Sequence, residues 1–371
     1  MMACVSDPTR GPGAPSAPEV AAAEVAARRF AAQLLSGEPA RSSEEVAGRL
    51  LAVQGQDPRG ARLAIRARSA GLTAADVDRA FTADRSLLIT WLNRGTLHLI
   101  RSEDYWLLHP LTVRPQHVAG CLRNLAAAGV SADQAEKGVT VITGALAEGP
   151  LTRNQIRERL SAAAIPADGN AALHLLMLTC QRGLAVRGPL VGAQHAYALV
   201  ADWLGRPPAA LDRDVALAEL ARRYLAGHGP ASDRDLAKWA GLSLGDVRRG
   251  LTAVAPQLRE RSDGLAELRR AEVGALPSPR LLGPFDPALL GWESRDPILG
   301  PHRQVVTVNG LFRPFALAEG RAVGLWSWSD GQVKLDMFGE LPAGVEAALA
   351  AEARDVRRFL GSAGTGPQED E

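Results

Sequence analysis

The chain has 371 residues, which is long enough for two to three domains, and it carries 42 basic against 41 acidic side chains. This balance excludes a field of one sign over the whole surface, so any basic surface for nucleic acid or a membrane must be local. All the basic residues except Lys137, Lys238 and Lys334 are arginines. Arginine offers a planar fork to phosphate and to guanine edges, although genome base composition explains the bias more simply.

The cysteines and the amino terminus indicate the compartment. Cys4, Cys121 and Cys180 are far apart and belong to no CxxC or Cys/His spacing. This favours a reducing environment and argues against zinc or iron–sulfur sites, so we expect neither a metal nor another cofactor. No apolar run is long enough to span a bilayer, and residues 1–18 lack the apolar segment of a signal peptide. We therefore expect a flexible tail over residues 1–18 and a cytoplasmic, nucleoid-associated protein.

The first elements along the chain are helical. The apolar pattern predicts a helix over 19–35, a second that begins at 42–46, and another over 74–81. The second helix cannot run far beyond residue 53, because Gly55 and Pro58 follow. The segment TrpLeuAsnArgGlyThrLeuHisLeuIle, 91–100, predicts a strand.

Two glutamines follow the second helix, in "LAVQGQDPRGARLAIRAR". On an extended exit from a helix, residues two apart point to the same side, so Gln54 and Gln56 on either side of Gly55 are expected to face one cleft. In the strand over 91–100 the polar residues that alternate onto one face are Arg94, Thr96 and His98. The simpler interpretation is that the glutamines cap a helix end and that His98 is a satisfied, half-buried histidine.

Two later segments resemble each other: GlyProLeuThrArgAsnGlnIle at 149–156 and GlyProAlaSerAspArgAspLeu at 229–236. In each, Gly-Pro ends an amphipathic helix, predicted over 134–147 and over 213–226, because glycine tolerates a left-handed helix end and proline cannot continue the ladder. The residues that then cap the next helix, with their capping-box partners, are Thr152 with Gln155 and Ser232 with Asp235.

Each repeat continues with a third helix, over 170–182 and about 243–254, and then with a polar hairpin, over 184–200 and 258–269. The pair Asp263-Gly264 favours a tight turn in the second hairpin. Three helices followed by a hairpin is the order of a winged helix. The amino-terminal segment fits a third copy with a longer insertion.

From about Ala275 the sequence is typical of short strands. Asn309-Gly310 and Glu319-Gly320 predict turns, and Trp326 and Trp328 would share one strand face, as core residues more often than as a base-stacking platform. A final helix is predicted over 343–360.

The sequence therefore predicts an α+β fold, mainly α, with three tandem winged-helix units, a small C-terminal β domain and a closing helix. The expected boundaries are 19–125, 126–206 and 207–274 for the winged helices and 275–371 for the β domain, final helix and tail. The first unit contains the Gln-Gly-Gln motif. Walker, GxGxxG, GxSxG and HExxH motifs do not occur in the sequence.

The sequence resembles the AlkZ/YcaQ family of winged-helix DNA glycosylases. The resemblance covers nearly all the chain after the tail, and the segments that carry it are "VQGQDPRGA", "NRGTLHLI", "LARRYLAGHGPASDRDLAKWAGL", "LLGPFDPALLG" and "NGLFRPFALAEGRAVGLW". It implies a concave, basic surface for double-stranded DNA and hydrolysis of the N-glycosidic bond of N7-alkylated guanine, including the unhooking of interstrand crosslinks. It leaves open whether such an enzyme serves general repair or antibiotic self-resistance.

The resemblance also implies a catalytic pair, which falls on Gln54 and Gln56 and is similar to that of the AlkZ branch. The chain departs from the family pattern at Gly55, which has no side chain to brace the pair. We expect Gln54 to hold the attacking water and Gln56 to stabilise the sugar cation, with the reverse order left open. Residues expected to support them or to contact DNA are Arg94, Thr96 and His98. Candidates for phosphate contacts are Arg59, Arg62, Arg66 and Arg187.

Two other functions compete with this one. A non-catalytic winged-helix DNA-binding protein, either a regulator or a drug-resistance binding factor, would share the scaffold, but regulators usually read a palindrome as dimers and no long dimerising heptad is present. A small-molecule hydrolase with a pocket in the β domain would need a nucleophile constellation. Since one chain with three modules can embrace a duplex, we expect a monomer.

Overall fold

The structure is a computed structural model that describes residues 17–271 and 274–361. Most of the tail predicted over 1–18 lies outside these ranges, as do Cys4 and the residues from 362 onwards. Helices and strands are mixed, and helices predominate. Among the described residues, no helix combines the length and the apolar character that a bilayer crossing requires.

The first segment contains six helices and three short strands. They are α1 (Ala17–Ala32), α2 (Ser43–Leu50), β1 (Val53–Gln54), α3 (Pro58–Arg66), α4 (Ala74–Thr82), β2 (Leu87–Trp91), β3 (Leu97–Arg101), α5 (Tyr105–Thr112) and α6 (Pro115–Ala127). Side-chain caps explain where the early helices begin, since Ser42 accepts a hydrogen bond from the backbone of Glu45 and Thr73 forms a capping box with Asp76. The predicted helices of this segment are confirmed as α1, α2 and α4.

The prediction of one strand over 91–100 is wrong. A 3₁₀ turn over Asn93–Gly95 separates β2 from β3, and the two strands pair antiparallel. Arg94 and Gly95 have φ angles of 58° and 78°, and two successive residues in this left-handed region make the tight reversal that suits a hairpin. Arg94 therefore lies in the turn, and of the three polar residues predicted on one strand face only His98 is in the strand.

The second segment has the predicted order of helices and hairpin. Its elements are α7 (Ala132–Leu146), β4 (Leu151–Thr152), α8 (Arg153–Ala162), α9 (Ala171–Gln181), β5 (Ala185–Val191), β6 (Gln194–Leu199) and α10 (Val200–Leu204). The predicted capping box is confirmed, because Thr152 accepts from the backbone N–H of Gln155 and the Gln155 side chain accepts from that of Thr152.

The third segment repeats this order with a shorter hairpin. Its elements are α11 (Arg213–His228), α12 (Asp233–Ala240), α13 (Leu244–Ala253), β7 (Leu258–Arg259) and β8 (Glu267–Leu268). The capping box of Ser232 with Asp235 is confirmed. The left-handed conformation predicted for Gly229 at the end of α11 is wrong, because its φ is −69°. A Cβ at Gly229 would instead lie 2.6 Å from the carbonyl oxygen of Leu225, so glycine is needed there for close approach.

The strands of the first two segments form a single sheet. Its order is β1-β3-β2-β5-β6-β4, and β2 of the first segment pairs with β5 of the second at Ile89 and Arg187. On one face, Val53, Ile89 and Leu99 belong to a core shared by the first, second and C-terminal segments. On the other face, Leu88 and Ile100 belong to a core that includes the helices of the third segment. The strand β1, in which the motif begins, is thus the edge strand of a sheet that has a hydrophobic core on each face.

The C-terminal segment is a small antiparallel sheet with short helices and a long closing helix. Its elements are β9 (Arg280–Leu282), α14 (Pro287–Leu290), α15 (Asp296–Leu299), β10 (Phe315–Ala318), β11 (Arg321–Ser329), β12 (Gln332–Met337) and α16 (Ala343–Gly361). Glu319 and Gly320 form the predicted turn between β10 and β11, with φ angles of 49° and 76°. Trp326 is buried in the core, and its indole N–H donates to the Leu282 carbonyl at 2.8 Å.

Candidate active site

The Gln-Gly-Gln motif begins in β1, the edge strand of the six-stranded sheet. Gln54 pairs with His98 in β3, and the backbone N–H of Gly55 donates to the Leu97 carbonyl at 2.8 Å. A Cβ at Gly55 would lie 3.2 Å from the Cγ2 of Ile89 and 3.3 Å from the backbone nitrogen of Leu99. The glycine therefore lets the motif pack tightly on the core, and its backbone supplies the bracing that a side chain would otherwise give.

Both glutamines are half-buried beside this packed glycine. Gly55 faces the core, so the alternation of an extended chain directs its two neighbours to the opposite side of the backbone. The predicted common side for Gln54 and Gln56 thus agrees with the orientation of Gly55.

Helix α3 begins immediately after the motif and fixes its exit. Asp57 is the N-cap, its Oδ1 accepts from the backbone N–H of Gly60 at 2.7 Å, and Pro58 occupies the first helical position. No helix is predicted over Pro58–Arg66 from the apolar pattern above. Asp-Pro at a helix start is the signal that predicts it, because aspartate caps the free N–H groups and proline needs no hydrogen-bond acceptor.

Arg94 connects the motif to the third segment. Its Nη2 donates to the Oε1 of Gln54 at 3.4 Å, while its Nη1 donates to the carbonyls of Lys238, at 3.3 Å, and of Trp239. These carbonyls belong to the last turn of α12, where the helix dipole favours a cation. Burial lowers the pKa of Arg94, and the nearby charge of Arg295 acts in the same direction. The guanidinium thus links the amide oxygen of Gln54 to the end of α12.

His98 lies next to Gln54 on the adjacent strand and is neutral. It is 3% exposed, and burial lowers its pKa to about 3, with the charge of Arg94 as the second cause. Its Nδ1 is 3.0 Å from the carbonyl oxygen of Thr96, so the proton of the neutral ring is on Nδ1 and Nε2 is an acceptor. The Thr96 hydroxyl donates to the Asn93 carbonyl at 3.1 Å and secures the turn. The structure thus brings His98 and Arg94 to Gln54, while Thr96 supports them through the backbone.

Two of the four arginines predicted to contact phosphate are buried. The Arg66 side chain is 2% exposed and forms ion pairs with Glu352 and Asp355 of α16, at 2.8 and 3.0 Å. Arg187 is 8% exposed, in the middle of the six-stranded sheet. Burial argues against a phosphate contact at both positions, and at Arg66 the ion pairs with α16 argue against it as well.

The other two arginines differ from each other. Arg62 donates to Asp78 at 2.7 Å and to the Pro58 carbonyl at 2.9 Å, and its Nη2 is 3.2 Å from the Nε2 of His195. It thereby ties the start of α3 to α4 and to the hairpin of the second segment. Arg59 is half-buried in the first turn of α3, and no residue in the described part of the chain forms a hydrogen bond or ion pair with its guanidinium.

The C-terminal segment contains a loop with an apolar tip. The Thr307 carbonyl accepts from the Gly310 N–H at 2.9 Å, and the Val308 side chain at the tip is fully exposed. At its base, Phe312 lies under the guanidinium of Arg295 at 4.9 Å, and Arg295 is the arginine whose charge reaches Arg94. The pair Asn309-Gly310 predicts this turn, and the structure confirms it.

Comparison with known proteins gives consistent matches. The family model described as "DNA glycosylase AlkZ-like" matches residues 47–359. An interstrand DNA cross-link repair glycosylase of Streptomyces sahachiroi is 29% identical over 367 residues, which cover 91% of this chain and 96% of that protein. The solved structure of Streptomyces sahachiroi DNA glycosylase AlkZ superposes with a TM-score of 0.73 at 27% identity, and the match covers 91% of this chain and 96% of that one.

Proposed function

The chain belongs to the AlkZ-like DNA glycosylase family, and from this premise we propose that it hydrolyses the N-glycosidic bond of N7-alkylated guanine in double-stranded DNA, including guanines joined in an interstrand crosslink. Membership makes the chain a DNA glycosylase and decides against a non-catalytic binding protein and against a small-molecule hydrolase. The name of the Streptomyces sahachiroi relative, a cross-link repair glycosylase, supports the crosslinked substrate. The lesion class rests on the chemistry of the site.

The observation that carries the proposal is the pair of neutral amides held on a rigid edge strand. Alkylation at N7 gives guanine a positive charge and makes it a good leaving group, so its departure builds an oxocarbenium-like sugar. Such a reaction needs an oriented water and an electron-rich oxygen near the sugar more than it needs a strong acid. The side-chain oxygens of Gln54 and Gln56 supply both functions without a titrating group.

We assign the attacking water to Gln54 and the sugar cation to Gln56. The Oε1 of Gln54 has two lone pairs, and the bond from Arg94 uses one of them, which leaves the second to accept a hydrogen bond from water. One preorganised group of this kind typically lowers a barrier by about 2.7–4 kcal/mol. Two amides are therefore sufficient for a substrate that already has a good leaving group.

For DNA binding we propose that the three helix-rich segments act as winged helices around a duplex. The repeated helix order, the two confirmed capping boxes and the hairpins support this assignment. Arg59 remains the best candidate for a phosphate contact, because it is next to the motif and free of described partners. One such chain has enough surface to bind a duplex as a monomer.

We also place the enzyme in the cytoplasm, on nucleoid DNA. Of the described cysteines, Cys121 and Cys180 are both free and buried, as expected of a protein that folds under reducing conditions. Crosslinked guanine as a substrate is compatible with antibiotic self-resistance as the biological role.

The test is an excision assay on two duplexes, one with a single 7-methylguanine and one with a crosslink between N7 positions of guanine. Heat or base cleaves the resulting abasic sites. We expect Gln54→Ala and Gln56→Ala each to reduce the single-turnover rate about 10²–10³-fold, as when one group that stabilises the transition state is removed. Gln332→Ala, at an exposed glutamine of β12, is the matched control and should keep the wild-type rate. Wild-type rates in both motif variants would refute the assignment of the motif.

A further inference from the structure

Gln54 belongs to a polar row that crosses three strands of the sheet. His98 is the direct partner of Gln54 on one side and of Thr90 on the other. Directly opposed residues of antiparallel strands share a face, with Cβ atoms about 4.5–5.5 Å apart. The row therefore runs from the half-buried Gln54 through His98 to Thr90, which is fully buried.

The hydroxyl of Thr90 has no structural explanation. Its Oγ1 is buried and forms no hydrogen bond with any described residue. A buried polar group without a partner costs on the order of 1–3 kcal/mol, and valine would fill the same space without that cost. The preceding row on the same face is apolar, with Leu88 opposite Ile100, so the fold itself does not require a polar residue there.

The acceptor nitrogen of His98, Nε2, has no hydrogen-bond donor among the described residues. Its Nδ1–H donates to the Thr96 carbonyl. The lone pair on its Nε2 accepts no hydrogen bond from a described residue. Two neighbours in the row can donate to it: the hydroxyl of Thr90 from the interior side and the amide NH₂ of Gln54 from the cleft side. If the amide of Gln54 donated, it would turn towards the ring and away from Arg94.

We propose that Thr90 is a positioning residue that supplies the Nε2 of His98 with a hydrogen-bond donor through one bridging water. Because His98 then needs no donor from Gln54, the amide oxygen of Gln54 can accept hydrogen bonds from Arg94 and from the attacking water. The bridging water accepts a hydrogen bond from the Thr90 hydroxyl and donates one to Nε2. Thr90 itself touches neither the substrate nor the reacting atoms. This inference rests on the proposed role of Gln54.

The decisive variant is Thr90→Val, which removes the hydroxyl and keeps the shape of the side chain. We expect the single-turnover rate of 7-methylguanine excision to fall about tenfold to a hundredfold, since misplacement by about 1 Å costs up to about 10²-fold. The Kd for the lesion duplex should not change, and the melting temperature should stay the same or rise. Thr90→Ser, which keeps the hydroxyl, should stay within about twofold of the wild-type rate.

A matched control is Thr179→Val. Thr179 is also fully buried, but its hydroxyl donates to the Leu175 carbonyl of its own helix, so we expect the excision rate to be unchanged. If Thr90→Val fails to fold, Thr90→Ala gives the same loss of the hydroxyl.

The outcomes separate this inference from the proposed function. Thr90→Val at the wild-type rate, together with an inactive Gln54→Ala, would overturn the role of Thr90 and keep that of the motif. Wild-type excision by Gln54→Ala would instead overturn the proposed role of Gln54, on which this inference rests. A loss of rate in Thr90→Val that Thr90→Ser does not share would support the positioning role.

Discussion

At the residue scale, the site depends on a glycine between two amides and on an aspartate that follows them. Gly55 allows contact with Ile89 that a larger residue would disturb. Asp57 holds the next turn through its bond to the backbone of Gly60, and it is the carboxylate nearest to the motif in sequence. Its position raises the question of whether it caps a helix or acts as the base.

Asparagine at this position separates the two roles. Asparagine caps helices as well as aspartate does but carries no charge. We expect Asp57→Asn to excise 7-methylguanine at close to the wild-type rate, and Asp57→Ala to lower the free energy of unfolding by about 0.5–2 kcal/mol through loss of the cap. Single-turnover rates and urea unfolding measure the two effects. A loss in Asp57→Asn as large as that in Gln54→Ala would show that the carboxylate takes part in the chemistry.

At the element scale, α3 is the helix that holds the motif to the rest of the molecule, and its three arginines are used in three ways. Arg59 is half-buried without a described partner, Arg62 ties α3 to α4 and to the second-segment hairpin, and Arg66 fixes α16 through Glu352 and Asp355. Residues of the same type on one short helix therefore have different functions, because each points towards a different neighbour.

Arg59 and Arg66 form a matched pair for a salt-dependence experiment. Loss of one phosphate contact lowers the slope of log K against log salt concentration by about one. We expect this change for Arg59→Met and none for Arg66→Met. Arg66→Met should instead lower the free energy of unfolding by about 1–3 kcal/mol, because it removes charged hydrogen bonds from a buried position. The reverse pattern in the two slopes would contradict the structural assignment.

At the scale of the whole molecule, the interior contains histidines that stay neutral where they are buried. Burial lowers the pKa of His98 and of His228 to about 3, and it lowers that of His195 well below the ordinary value. In the unfolded chain each of these groups titrates near 6.5. Between about pH 6.5 and pH 3 the unfolded state therefore binds more protons than the folded state, so stability is complete above this window and falls as the pH falls through it.

We expect the urea midpoint of unfolding to be nearly constant above pH 7 and to fall between pH 6.5 and 5. Each buried histidine adds up to about 1.4 kcal/mol per pH unit to the slope of the unfolding free energy. His195→Asn should reduce that slope by up to one proton's contribution, whatever its effect on stability at pH 7.5. A midpoint that does not change from pH 7 to pH 5 would show that these histidines are protonated in the folded protein.

The local elements and the motif are predictable from the sequence alone. Capping residues such as Ser232 with Asp235 and turn pairs such as Glu319-Gly320 act within a few residues, so helix order and turns were predictable from the chain. The Gln-Gly-Gln spacing also pointed to the family, to which the chain belongs.

Which side chains meet depends on the packing of elements that are distant in the sequence. Arg94 reaches Lys238 and Trp239, more than 140 residues away, because a left-handed turn directs it to the end of α12. Arg66 is buried because α16 packs over it through Glu352. Such contacts depend on how distant elements pack, and the packing is set by the shared sheet and its two cores rather than by any local pattern of residues.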